Sequence, residues 1–387
     1  MWPLECTCLK SPPNPMKGNG LRRLGEPSRP GEPRGGSLTR PRLSARMIAL
    51  GRGACASLSF FLRRLHMSRF VAGCLGLLLI LGGYAGTANA QAEAGAQSLL
   101  IAPGARADGM GRAFVAVAND ANAVWWNPGA LAFTTGHDIS SMYAKLVPDL
   151  ANDVFFSYTA FAQHVEGWGG IGFSLGYLGY GESIATDNDG NETGTFTSYE
   201  VAPTLAYGTE LMKNMGFGVA LKFVRVDLAP ADKTLDRAEG AGSTFAADVG
   251  GLYKLPELKS SIGLVIQNLG PNISYIDADQ SDPLGRNAKL GVAVTPFEKE
   301  AYKVLLVADV NRSLLPHGAW IENAGGEFEF NRLVALRAGY VYDPRGTIKD
   351  LTYGLGLNYR GIRIDYASVP QSEFLNRVNR FSASYHF

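Results

Sequence analysis

From about residue 137 onward, large apolar residues recur at every second position. Ile171, Phe173, Leu175 and Tyr177 alternate with Gly170, Gly172, Ser174 and Gly176. Phe217, Val219, Leu221 and Phe223 alternate with Gly216, Gly218, Ala220 and Lys222, and Tyr353, Leu355, Leu357 and Tyr359 with Gly354, Gly356, Asn358 and Arg360. A period of two places successive side chains on opposite faces of a β-strand, so one face is bulky and apolar, the other small or charged. Fourteen segments carry this pattern, at about 137–146, 153–162, 167–181, 195–208, 213–228, 241–254, 259–269, 287–296, 301–311, 320–331, 333–343, 351–360, 361–369 and 378–387. Lengths of roughly ten residues suit tilted membrane strands, and an even number suits a closed antiparallel up-and-down barrel with its apolar face toward lipid. The expected fold is therefore an all-β transmembrane barrel over 137–387.

Turn chemistry supports the segmentation. Asp187-Asn188-Asp189-Gly190-Asn191, Pro283-Leu284-Gly285 and Asp343-Pro344-Arg345-Gly346 fall between strands, where turn residues belong. The connections near 182–194, 229–240 and 270–286 are the longest, hence the expected extracellular loops. In the last strand Phe381, Ala383, Tyr385 and Phe387 share one face. That aromatic ending resembles the signal read by the machinery that assembles bacterial barrels, so Phe381, Tyr385 and Phe387 are its expected recognition residues.

Composition narrows the class. The chain has 387 residues with 47 Gly, 19 Phe and 16 Tyr, and a mean hydropathy of −0.01, too polar for a bundle of membrane helices. The net charge of +1 hides two unlike pieces. Residues 1–66 hold 12 Lys/Arg against 3 Asp/Glu, and residues 91–387 hold 23 against 32. An acidic body argues against nucleic acid as a partner. Residues 1–66, rich in Pro, Gly and Arg, are expected to be a disordered extension or to precede the true start at Met67. From Met67, Arg69, the apolar run Phe70 to Gly83 and Ala88-Asn89-Ala90 form an expected signal peptide over 67–90, placing the protein in the bacterial outer membrane. All four cysteines (Cys6, Cys8, Cys55 and Cys74) precede the expected cut, which leaves neither disulfides nor thiolate chemistry to the exported body.

With the apolar faces outward, the alternate positions face the lumen. Lys222, Lys289, Arg337, Arg360 and Arg363 supply positive charge there, and Asp248, Asp309, Glu327, Glu329 and Asp365 negative charge. One sign alone would select an ion. A balanced set suits internal salt bridges that hold a plug, or a solvated interior.

Residues 91–136 differ in character. Pro103-Gly104-Ala105-Arg106-Ala107-Asp108-Gly109-Met110-Gly111-Arg112-Ala113 leads through Asn119-Asp120-Ala121 to Trp125-Trp126-Asn127-Pro128. The segment is rich in small residues, with an Ala-containing patch that suits a short helix ending before Pro128. It is expected to fold into the lumen as a hatch, since small residues let backbone approach a barrel wall. Its pattern resembles the PorV/PorQ family of outer-membrane barrels associated with type IX secretion, and more loosely the hatch of FadL-type transporters for long-chain fatty acids. The resemblance implies a fourteen-stranded barrel. It implies that Pro103, Gly104, Arg106, Gly109, Gly111, Asp120, Asn127 and Pro128 form the hatch motif.

No catalytic pattern competes. His66, His137, His164, His317 and His386 show no metal-ligand spacing, and Gly104 to Gly111 lacks the Lys-Ser/Thr ending of a phosphate loop. Asp187, Asp189 and Asn191 lack the closing Glu of a calcium loop, and no nucleophile elbow is present. A non-enzyme without cofactor is expected. Two functions stay open: a secretion component that binds cargo or partner subunits, and a FadL-like channel for hydrophobic compounds. Membrane lipid and the barrel-assembly machinery are expected partners of either.

Overall fold

The structure, a computed structural model, describes residues 94–234, 239–276, 280–316, 318–344, 346–372 and 375–387. The expected extension (1–66) and the expected signal peptide (67–90), with every cysteine, lie outside these residues, as does His317. Fourteen antiparallel strands close into a barrel: β1 (His137–Lys145), β2 (Phe155–Val165), β3 (Gly169–Thr186), β4 (Glu192–Met212), β5 (Met215–Ala229), β6 (Gly240–Leu255), β7 (Ser260–Leu269), β8 (Asn287–Glu298), β9 (Tyr302–Ser313), β10 (Trp320–Phe330), β11 (Val334–Asp343), β12 (Ile348–Tyr359), β13 (Ile362–Val369) and β14 (Val378–His386). Each strand pairs with its chain neighbours, and β1 pairs with β14 from Asp138↔His386 to Ala144↔Arg380. Beyond that ladder, His137 and Phe387 exchange both backbone hydrogen bonds at 2.9 Å, and their rings stack at 5.1 Å. Closure removes the edges that a flat sheet would leave unpaired in lipid.

The alternation resolves as expected. Phe173, Leu175, Leu205, Leu221, Leu264 and Leu355 are exposed on the outside, while the residues between them are buried against the lumen contents. Phe381, Tyr385 and Phe387 also point outward. An outer aromatic row, Tyr143–Phe155–Tyr177–Tyr199, crosses β1 to β4 with centroids 5.5, 5.7 and 5.8 Å apart. Such rings suit a membrane–water boundary.

The two ends of the barrel differ. The end holding the start of β1 and Phe387 has the short connections, such as 213–214, 331–333 and 360–361; the other carries 146–154, 230–239 and 270–286. Three expectations are corrected here. Residues 182–194, expected as a loop, mostly continue β3 and β4 as a ribbon after a bulge between Gly179 and Glu182. The sequence there, Glu182-Ser183-Ile184-Ala185-Thr186, carries no repeat of large apolar residues at every second position, so no alternation marks it. Arg360, expected in the lumen, is exposed in the turn between β12 and β13. It and Gly361 have φ of 51° and 85°, and a two-residue hairpin needs positive φ at both central positions to match the strand twist. Finally, Leu284, expected in a surface turn, is fully buried with Ala96, Leu99, Val224 and Ile273. There Pro283 accepts a hydrogen bond from the Gly95 nitrogen at 2.9 Å.

Candidate functional site

The lumen is occupied by residues 95–133, which run from the long-loop end to the short-turn end before entering β1. Two short helices, α1 (Ala105–Gly109) and α2 (Ala123–Trp126), are linked by tight turns, and a 3₁₀ turn follows at Pro128–Phe133. Met110, Phe114, Val115, Val124, Trp126 and Leu131 are fully buried and form an apolar core with inward residues of the wall. Phe114 and Trp126 meet edge to face at 5.7 Å, and the Trp126 indole donates to the Pro103 carbonyl at 2.9 Å.

Asn127 explains the Asn-Pro pair. Its amide donates to the carbonyls of Val115 and Gly251, both at 3.0 Å, and its oxygen accepts from the Gly129 nitrogen. The side chain thus caps the 3₁₀ turn that Pro128 starts and ties it to β6. Asp120 caps the turn before α2 through the Asn122 nitrogen at 3.0 Å. Gly104 and Gly111 have φ of 94° and 71°. At Gly111 the approach is also close: a Cβ on Gly339 of β11 would lie 2.1 Å from the Gly111 nitrogen. Both partners must therefore be glycine for the two backbones to touch.

The buried charges join hatch to wall. Arg106 grips Glu327 of β10 with two hydrogen bonds of 2.9 Å, donates to Asn119 at 2.7 Å and lies 3.8 Å from Asp120. The opposite charge and two hydrogen bonds of the Glu327 carboxylate offset the cost of burying the Arg106 guanidinium. Glu327 also accepts from Arg337 at 2.7 Å, and Arg337 donates to Asp365 at 2.8 Å. The chain Arg106–Glu327–Arg337–Asp365 thus alternates in sign across β10, β11 and β13. Lys222 and Asp248 form a separate pair at 2.7 Å within the wall. Lys289 stands over Trp125 and Trp126, 4.1 and 4.9 Å from their ring centroids. Asp309 accepts from the Phe114 and Val115 nitrogens at 2.8 and 3.0 Å. Glu329 and Arg363 are only half-buried and line a small cleft with Arg332 and Asn358.

Sequence reasoning missed several wall groups that hold the hatch. Arg380 of β14 pairs with Asp108 at 3.0 Å and donates to the Ala102 carbonyl at 2.9 Å. Thr352 both accepts from Gly111 and donates to Gly109. Glu200 accepts from the Gln97 and Ser98 nitrogens, and Asp138 from Ala121. All sit at inward positions of their strands. The alternation that exposes Phe381 turns Arg380 inward, which was the available signal. Among the described residues, no group of three His, Cys, Asp or Glu could hold a metal ion.

Residues 87–319 match the model of the family described as type IX secretion system protein PorV. No curated protein matches the chain by sequence. Similar solved structures include the Pseudomonas putida toluene transporter TodX, at 14% identity and a TM-score of 0.48 over 74% of this chain and 98% of that one. The Ralstonia pickettii toluene transporter TbuX is similar at 13% identity and 0.47, over 74% and 98%. A Pseudomonas aeruginosa FadL homologue follows at 11% and 0.44, over 73% and 97%.

Proposed function

The chain belongs to the family of the type IX secretion system protein PorV, and on that premise we propose that it is a non-catalytic outer-membrane component of protein secretion, acting by binding cargo or partner subunits at its surface. One observation carries this reading: the lumen is filled by a hatch whose Arg106 is locked to Glu327 in a buried ion-pair chain. Removing one partner of a buried pair leaves an uncompensated charge, at about 3–5 kcal/mol, so a hatch held in this way resists displacement. A barrel filled in this way offers binding surface rather than passage. The long-loop end would face the cell exterior, as in other bacterial barrels.

The test is a deletion strain assayed twice. Loss of surface delivery of type IX cargo with unchanged uptake of long-chain fatty acids is the expected outcome. Normal secretion with impaired uptake would instead establish the transporter role.

A further inference from the structure

At the long-loop end β3 and β4 outgrow their neighbours. β2 pairs with β3 only as far as Phe155↔Gly179, and β5 pairs with β4 only as far as Asp227↔Tyr199. Beyond these points Glu182–Thr186 pairs with β4 alone. The direction of its backbone groups follows from two hydrogen bonds. The Glu182 nitrogen donates away from β4, to the Asp153 carboxylate at 2.8 Å, and the Asp187 nitrogen donates toward β4, to the Asn191 carbonyl at 2.9 Å. With a period of two, the Ile184 and Thr186 amides must share the Glu182 direction and face an open edge. Ile184 is itself 59% exposed. It lies seven residues beyond Tyr177 of the aromatic row, about 23 Å along a strand at about 3.3 Å per residue, so lipid does not cover it.

Charge defines what fits this edge. The ribbon carries Glu182, Asp187, Asp189 and Glu192, with Asp149 and Asp153 on the adjoining loop, and no Lys or Arg occurs from Leu146 to Met212. An open, acidic strand edge with an exposed apolar side chain is a template for strand addition. We propose that the Glu182–Thr186 edge docks an extended, lysine- or arginine-bearing segment of a partner protein, with backbone pairing at Ile184 and Thr186 and cations beside the acidic side chains. The inference deepens the secretion reading and rests on it only for where such a segment comes from.

The test uses the full chain purified in detergent and a fluorescent peptide alternating lysine with valine, followed by anisotropy. The peptide should bind, and more weakly as salt rises. N-methylation of its edge-facing amides should weaken binding about tenfold, or about 1.4 kcal/mol. Ile184→Pro should do the same, because it removes an amide aimed at the open edge and leaves the β3–β4 ladder intact. The combined variant Glu182→Gln, Asp187→Asn, Asp189→Asn, Glu192→Gln, which leaves only Asp149 and Asp153 charged, should weaken binding and reduce its salt dependence. Heat-modifiable gel mobility identifies the folded variants. Equal binding by the N-methylated peptide, or by Ile184→Pro, would overturn strand addition, and unchanged binding to the neutralised variant would overturn charge complementarity. Either result leaves the deletion-strain test of secretion untouched.

Discussion

Glu327 is the residue on which the lumen turns, because one carboxylate serves two guanidiniums. Its oxygens are shared between Arg106 of the hatch and Arg337 of the wall. Arg106→Ala leaves Glu327 paired with Arg337, whereas Glu327→Ala takes a carboxylate from both buried arginines at once, leaving Arg337 only Asp365 and Arg106 only Asn119 and the more distant Asp120. Glu327→Ala is therefore expected to destabilise the barrel by about 3–5 kcal/mol, and Arg106→Ala by clearly less. Urea unfolding in detergent, read by the heat-modifiable gel shift, checks this; equal effects would show that the arginines do not depend on the shared carboxylate. The charges themselves were legible from strand alternation, but their partners were not. Glu327 and Arg337 lie opposite each other on adjacent strands, yet nothing local specifies that Arg106, 221 positions away, completes the chain.

At the scale of elements, the hatch is held by shape as much as by charge. Its backbone lies on strand glycines whose inward side is bare, so a Cβ on Gly218 would sit 2.3 Å from the Pro128 carbonyl oxygen. Gly339→Ala should lift the Gly109–Arg112 turn off β11, at a cost of about 1–3 kcal/mol for an overpacked site. Gly251→Ala is the control, since the nearest atom to its Cβ would be 3.7 Å away. Urea unfolding in detergent reports the outcome: the midpoint should fall in Gly339→Ala and stay at the parent value in Gly251→Ala. Equal midpoints for both variants would show that the seat tolerates a methyl group. The sequence displayed these glycines plainly as the small face of each strand. Their use as seats was hidden, because an inward glycine looks the same whether it faces water or another backbone.

For the whole molecule, the hatch that occupies the lumen sets the expected electrical behaviour. Planar-bilayer recordings of the intact protein should show no sustained conductance, whereas a chain lacking residues 95–133 should conduct if it folds, as an emptied barrel of this size does. A steady current through the intact protein would contradict the hatch as placed. The strands were legible within a few residues almost everywhere, since each crosses between lipid and lumen. The exceptions were the β3–β4 ribbon, which continues past the aromatic row without a lipid-facing repeat, and Arg360, where a hairpin turn takes over from the strand period.

The sequence by itself determined that the chain closes into a barrel of fourteen strands and which side chains face lipid, because the two-residue period is local and the membrane leaves no other way to satisfy the backbone. It also marked the segment before β1 as different in kind. Only the tertiary structure decided which wall groups hold that segment, that Glu200, Asp138, Thr352 and Arg380 are among them, and that one strand edge is left open above the membrane. Those outcomes depend on ladder register and on the path of the hatch through the lumen, both of which join residues hundreds of positions apart.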